Sequence, residues 1–134
     1  MAVFDAGEGE ELYIGGPFRN TGVEGGIGAI RNRIVRWDGE EFGSLGTGLS
    51  AAGVQTLLVV EDVFQPGKVM FAGGTFGGGD GLTARSIAAW DGDSWNRVGN
   101  GFTSTVQDLE IFDSGTGPML YAVGSFTQIL FGDQ

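Results

Sequence analysis

The stretch from Phe4 to Phe18 returns near the far end of the chain, between Phe112 and Phe126. Identical residues fall at Phe4/Phe112, Asp5/Asp113, Gly7/Gly115, Gly9/Gly117, Leu12/Leu120, Tyr13/Tyr121, Gly16/Gly124 and Phe18/Phe126. A middle copy, Val69 to Phe76, lies halfway between them. The period is therefore about 54 residues and the chain holds roughly two and a half units. A second signature alternates with the first. Trp37-Asp38-Gly39 recurs as Trp90-Asp91-Gly92, and the aromatic five places after each Trp recurs as Phe42 and Trp95. Leu45 to Ser50 then returns as Val98 to Thr103, and Val54-Gln55 as Val106-Gln107. The unit boundaries follow as 1–50, with its first strand truncated, 51–103, and a partial unit at 104–134.

Each unit contains four strand-like runs separated by turn signals. The first is Val54 to Asp62, matched by Val106 to Asp113. The second is Val69 to Gly74, matched by Leu12 to Gly16 and Met119 to Gly124. The third is Ile34 to Asp38, matched by Ile87 to Asp91. The fourth is Phe42 to Leu45, matched by Trp95 to Val98. Asp-Gly joins the third run to the fourth, a hairpin signal. No stretch has a capped 3.6-residue apolar period, so no α-helix is expected. The chain opens inside the first run of a unit and closes after the second run of another, with Gln128 to Phe131 positioned to begin a third run.

Composition fits an all-β reading. Glycine makes up 27 of 134 residues, but 3 Pro and no triplet period exclude collagen. A 41% hydrophobic content with 10 Phe and 3 Trp excludes a disordered chain. What remains is a turn-rich sheet protein that uses Gly where backbones turn or meet closely.

A four-stranded unit of this size matches one β-propeller blade, which must bury both faces against neighbours. Trp37, Trp90 and Trp95 suit that task, since each can bury roughly 200 Å². The Gly pair ending the second strand, the aromatic in the third and the aromatic in the fourth resemble the kelch repeat of the galactose-oxidase-like propeller class. Gly15-Gly16 and Gly73-Gly74 carry the first element, Trp37 and Trp90 the second, Phe42 and Trp95 the third. Phe18, Phe76 and Phe126 follow the glycines; at Gly124 the pair is broken, with Val123 in front. The order is similar to "GGxF … RWDGxxW … LGxG" arrays in large secreted bacterial proteins, which implies an extracellular or cell-surface parent. The fold expected is therefore all-β, with about 2.5 four-stranded antiparallel blades of a propeller completed by further blades or further copies of the chain.

Charge and missing residue types narrow the function. The net charge is −10, from 17 Asp and Glu against 7 Lys and Arg, which disfavours nucleic acid and anionic membranes as partners. There is no Cys and no His, so no thiol nucleophile, no imidazole base and no His-ligated metal. No apolar run is long enough for a membrane helix, and Met1 to Glu11 lacks a signal-peptide pattern. Asp38 and Asp91 sit before Gly in hairpin turns, where Asp accepts backbone amides. Asp5, Asp62 and Asp113 close the first run in the same way. The Gly77-to-Gly81 run lacks the Lys-Ser/Thr of a phosphate cradle, and Asp91 to Trp95 is too short for an EF-hand.

The expectation is a non-enzymatic binding or interaction scaffold with no cofactor and no metal, open to a protein or glycan ligand. A purely structural segment of a surface protein is the alternative, and a glycosidase-like propeller with paired carboxylates comes last. Ligands of such scaffolds are held by loops. The long loops between second and third runs carry Arg19, Asn20, Arg31, Arg33, Asp80 and Arg85. Arginine there can meet a carboxylate in bidentate fashion.

Overall fold

The structure is a computed structural model and describes residues 1–19, 33–61 and 67–127. It is all-β, and no helix occurs among the described residues. The first sheet holds β1 (Ala2–Asp5), β2 (Glu10–Gly15), β3 (Ile34–Trp37) and β4 (Phe42–Gly43), in the order β1-β2-β3-β4. The second holds β5 (Gly53–Glu61), β6 (Lys68–Thr75), β7 (Ile87–Trp90) and β8 (Trp95–Arg97) in the same serial order. The third pairs β9 (Val106–Asp113) with β10 (Pro118–Gly124). All neighbours are antiparallel. Among the described residues these are open sheets, and they do not close into a ring. Asp62 and Gln128 to Phe131 lie outside the described residues.

The turns repeat as the sheets do. The Asp5 carboxylate accepts the amides of Gly7 at 2.7 Å and Gly9 at 3.1 Å, and Asp113 accepts those of Gly115 at 2.7 Å and Gly117 at 3.0 Å. In the second hairpin type, Asp38 accepts the amides of Glu40 and Glu41, and Asp91 those of Asp93 and Ser94. The following glycines, Gly39 and Gly92, both have φ of 108°, a conformation closed to most L residues. That is why Asp-Gly recurs after each strand-three Trp.

One face of each sheet carries an apolar row in direct cross-strand register. In the first sheet the row is Val3, Leu12, Trp37 and Phe42. In the second it is Val59, Met70, Trp90 and Trp95. In the third it begins with Ile111 and Leu120. The opposite face of the first sheet presents Phe4 and Tyr13, whose rings meet edge to face at 5.4 Å. That pair, with Ile34, Leu45 and Leu49, packs against Val54, Met70, Ala72, Trp90 and Trp95 of the second sheet to form the main core. A second core joins Leu58, Phe71, Ile87, Val98 and Phe102 of the second sheet to Val106, Leu109, Leu120, Ala122 and Phe126. The sheets thus stack face to face in chain order, front of one on rear of the next. Trp95 closes the first interface by donating its Nε1–H to the Leu45 carbonyl at 3.2 Å. Trp90 and Trp95 are buried as expected, while Trp37, on the outer face of the first sheet, is half-buried.

The glycine pair has a contact reason. A Cβ on Gly15 would lie 2.5 Å from Val54 Cγ1, and one on Gly73 2.6 Å from Val106 Cγ1. Carbon atoms rest at about 3.5–4.0 Å, so each glycine is the hollow in which the next sheet's first valine sits. Gly74 and Gly124 stand against the backbone carbonyls of Gly53 and Thr105 and leave no room for a side chain.

Most strand bounds differ from the expectation by one or two residues, and one of these differences has a clear structural cause. The fourth strand of the first sheet stops at Gly43, short of Leu45. Leu45 turns inward and is fully buried, and its carbonyl accepts the Gly48 amide at 2.9 Å as well as the Trp95 indole. A carbonyl used in this way cannot also serve a strand ladder.

Candidate functional site

The described loop residues expected to hold a ligand, Arg19, Arg33, Asp80 and Arg85, belong to the loops of two different sheets. Asn20 and Arg31 lie outside the described residues. Asp80 and Arg85 belong to the second sheet's loop and serve the fold. Asp80 accepts the Thr47 amide at 2.7 Å, while its own amide donates to Thr47 Oγ1 at 2.9 Å. This two-way clip ties the Gly46-to-Ser50 turn of the first unit to the second. Gly46 has no side chain because the Asp80 carboxylate occupies that space. Arg85 is exposed, and its carbonyl accepts the Phe102 amide at 2.9 Å.

Arg19 and Arg33 do come together. The Arg33 amide donates to the Phe18 carbonyl at 3.1 Å, and the Gly16 amide donates to the Arg33 carbonyl at 2.9 Å. This bridge holds the start of β3 beside the chain leaving β2, so Arg19 sits next to Arg33. Arg19 is exposed; Arg33 is only 3% exposed. Its Nη2 donates to the Ala51 carbonyl, at the entry to the second sheet, and its Nε has no hydrogen-bond partner. Burial holds its guanidinium below the ordinary value, and the nearby Arg19 charge adds to the effect. Among the described residues the ion pair is elsewhere, between Arg36 and Glu11 at 3.1 Å on the first sheet. Among the described residues neither Arg19 nor Arg33 has a carboxylate partner, and the exposed Arg19 guanidinium, beside the buried Arg33 charge, is chemically suited to an anionic group.

Arg33 has φ of 66°. Its counterpart in the second unit is Ser86, with φ of 64°. Ser86 makes the same bridge, with its amide to the Phe76 carbonyl at 2.9 Å and its carbonyl to the Gly74 amide at 3.0 Å. A left-handed position held by Arg and Ser carries no glycine flag, so the motif was not legible in the sequence. The only available signal was that Arg33 and Ser86 each immediately precede the Ile that opens the third strand.

The carboxylates divide in the same practical way. Hydrogen bonds from the Gly7 and Gly9 amides lower the Asp5 pKa, and those from Glu41 and Glu40 lower that of Asp38. At Asp91 burial pushes upward, but the amides of Ser94 and Asp93 and the Asn96 and Ser94 side chains outweigh it, and the pKa falls. These groups hold turns as carboxylates. Tyr13 moves the other way: burial and the 3.0 Å hydrogen bond from its hydroxyl to Glu11 raise it to about 12. No group of three or more metal-ligating side chains occurs among the described residues.

The signature residues Gly15, Gly16, Phe18, Trp37, Asp38, Gly39 and Phe42 all sit in or beside the first sheet, and Gly73, Gly74, Phe76, Trp90, Asp91, Gly92 and Trp95 in or beside the second. Gly124 ends β10, and Phe126 stacks on Phe102 with centroids 4.4 Å apart. No protein-family model matches the chain, and no curated protein or solved structure matches it.

Proposed function

We propose that the chain is a propeller-type repeat module, of the kind its kelch-like signature implies, that binds an acidic ligand at the loop end of its sheets. The observation that carries the scaffold reading is the repeated stacking. Gly15 receives Val54 and Gly73 receives Val106, so successive glycine hollows and valine knobs follow one rule from sheet to sheet. Repeats that bury each other in this way build a continuous core and leave their loops free for recognition. The ligand class follows from Arg19, which is exposed beside the buried Arg33 cation and offers donors to a carboxylate, as in an acidic glycan or an acidic peptide.

The test is a screen of arrayed glycans and acidic peptides against the purified chain, repeated with Arg33→Ser and Arg19→Ser. Serine already occupies the equivalent left-handed position at Ser86, so the first variant keeps the backbone. Binding of a carboxylate-bearing ligand that weakens at least tenfold in both variants supports the reading. Binding that survives both variants, or no binding of any acidic ligand, refutes the loop assignment. The purely structural alternative is favoured by Asp80, whose polar groups are engaged in the clip to Thr47. It predicts an empty screen.

A further inference from the structure

The third sheet repeats the aromatic pair of the first in a different setting. Phe4 and Tyr13 are each 1% exposed, because the second sheet lies on them. Their counterparts Phe112 and Tyr121 keep the edge-to-face geometry, with centroids 6.0 Å apart, but are 58% and 45% exposed. Met119 stands directly opposite Phe112 in the ladder, and Val123 continues the same face; both are exposed. The four side chains make an apolar patch of roughly 400 Å², the size associated with interaction sites.

The complementary half is on the same molecule. The row Val59, Met70, Trp90 and Trp95 is what covers Phe4 and Tyr13. The equivalent row of the first sheet is Val3, Leu12, Trp37 and Phe42. It faces away from the second sheet, with Val3 56% exposed and the other three half-buried. The molecule therefore carries one unmatched front and one unmatched rear of an interface that it already makes internally.

We infer that the Phe112–Tyr121 face is a docking surface for a second copy of this chain, which seats on it by the Val3–Leu12–Trp37–Phe42 row of its first sheet. This rests on the stacked-repeat reading above. The contact is head to tail, so it propagates into a ring or an open chain instead of stopping at a two-fold dimer. Val123 adjusts the fit. Internal fronts have glycine there, at Gly15 and Gly73, to admit a valine from the next sheet. The docked copy must present less than a valine at that corner.

The experiment is analytical ultracentrifugation of the 134-residue chain from about 1 to 200 μM, with Phe112→Lys, Val3→Lys and their mixture. Both positions are exposed, so the monomer fold is retained, as far-UV circular dichroism can verify. Lysine lowers the net negative charge, so any loss of association cannot come from general repulsion. Wild type is expected to associate beyond a dimer. Each variant alone should associate at least ~30-fold more weakly, the scale of a lost hot spot. The equimolar mixture should form a 1:1 heterodimer, because one variant keeps an intact rear and the other an intact front. A monomeric wild type at all concentrations overturns the proposal. So does a Val3→Lys variant that associates like wild type, since that indicates front-to-front pairing. The internal stacking has its own readout, the coupling between positions 73 and 106 in a double-mutant cycle. A monomer in which that coupling persists therefore refutes docking and leaves the stacked-repeat reading standing.

Discussion

Gly73→Ala combined with Val106→Ala measures whether the sheets stack as described. The alanine methyl would lie 2.6 Å from Val106 Cγ1, 2.8 Å from Thr56 Cγ2 and 3.3 Å from Leu109 Cδ1. Against a normal carbon separation, the first contact is short by about 1 Å. Overpacking of this kind costs about 1–3 kcal/mol, and replacing a strand glycine returns about 0.5–1 kcal/mol. Gly73→Ala alone should therefore destabilise by about 1–2 kcal/mol. Val106 is fully buried. Removing two methyl groups costs about 0.8 kcal/mol each in transfer plus a cavity term, so Val106→Ala should cost about 2–3 kcal/mol. If the two sites were independent, the double variant would lose about 3–5 kcal/mol. If the alanine methyl enters the space left by the valine, the double variant should lose only about 2 kcal/mol, with Thr56 accounting for incomplete relief. The assay is urea unfolding followed by tryptophan fluorescence and far-UV circular dichroism, with coincident transitions required before free energies are compared. Additivity within about 0.5 kcal/mol would refute the hollow-and-knob account. Val123→Ala is the control: that side chain is 60% exposed and should change stability by less than about 0.5 kcal/mol in the monomer.

Stability should fall on acidification. Asp5, Asp38 and Asp91 have pKa values below their ordinary 3.8, so their contribution is present above that value and is lost as pH falls through the lower folded values. Urea midpoints from pH 7 down to pH 2 test this, and Asp91→Asn should flatten the acid limb. At the other end, Tyr13 favours its neutral form in the fold, so its contribution is present below the ordinary value of 10.0 and lost as pH rises toward about 12. The chain has 2 Tyr, so ultraviolet titration of Tyr121→Phe isolates this step; ionisation near 10 would disprove the buried environment. Trp95→Phe removes the indole bond to the Leu45 carbonyl and should cost about 1–2 kcal/mol. An unchanged urea midpoint would show that bond to be idle.

Strand identity was legible because the repeat reports each strand more than once. A short run such as Trp95 to Val98 is weak evidence alone, but it gains force from Phe42 at the same place in the preceding unit. The Asp-Gly turns were legible because their chemistry is local: the carboxylate reaches amides two to four residues away. The stacking order was not. It depends on which face of each sheet meets the next, and that is set by cross-strand register, as in Val59–Met70–Trp90–Trp95, which spans three turns. The site was legible only in part. Arg19 and Arg33 were named from loop position, but their approach depends on the bridge from the Arg33 amide to the Phe18 carbonyl. Asp80 looked like a loop acid available to a ligand. Its bonds to Thr47 come from 33 residues away, a separation that no local pattern reports.

The left-handed residue before the third strand has a consequence for how such a repeat can diversify. Arg33 and Ser86 make the same pair of backbone bonds, one to the chain leaving the second strand and one from it. Their side chains therefore issue from equivalent points on consecutive sheets while the backbone does the holding. The position works as an interchangeable socket: a cation in one unit, a hydroxyl in the next, with the frame unchanged. Exchanging the two residues, Arg33→Ser with Ser86→Arg, would move the positive charge by one sheet along the stack. An array built on this rule can set a different side chain at the same point of each sheet by changing one residue per unit.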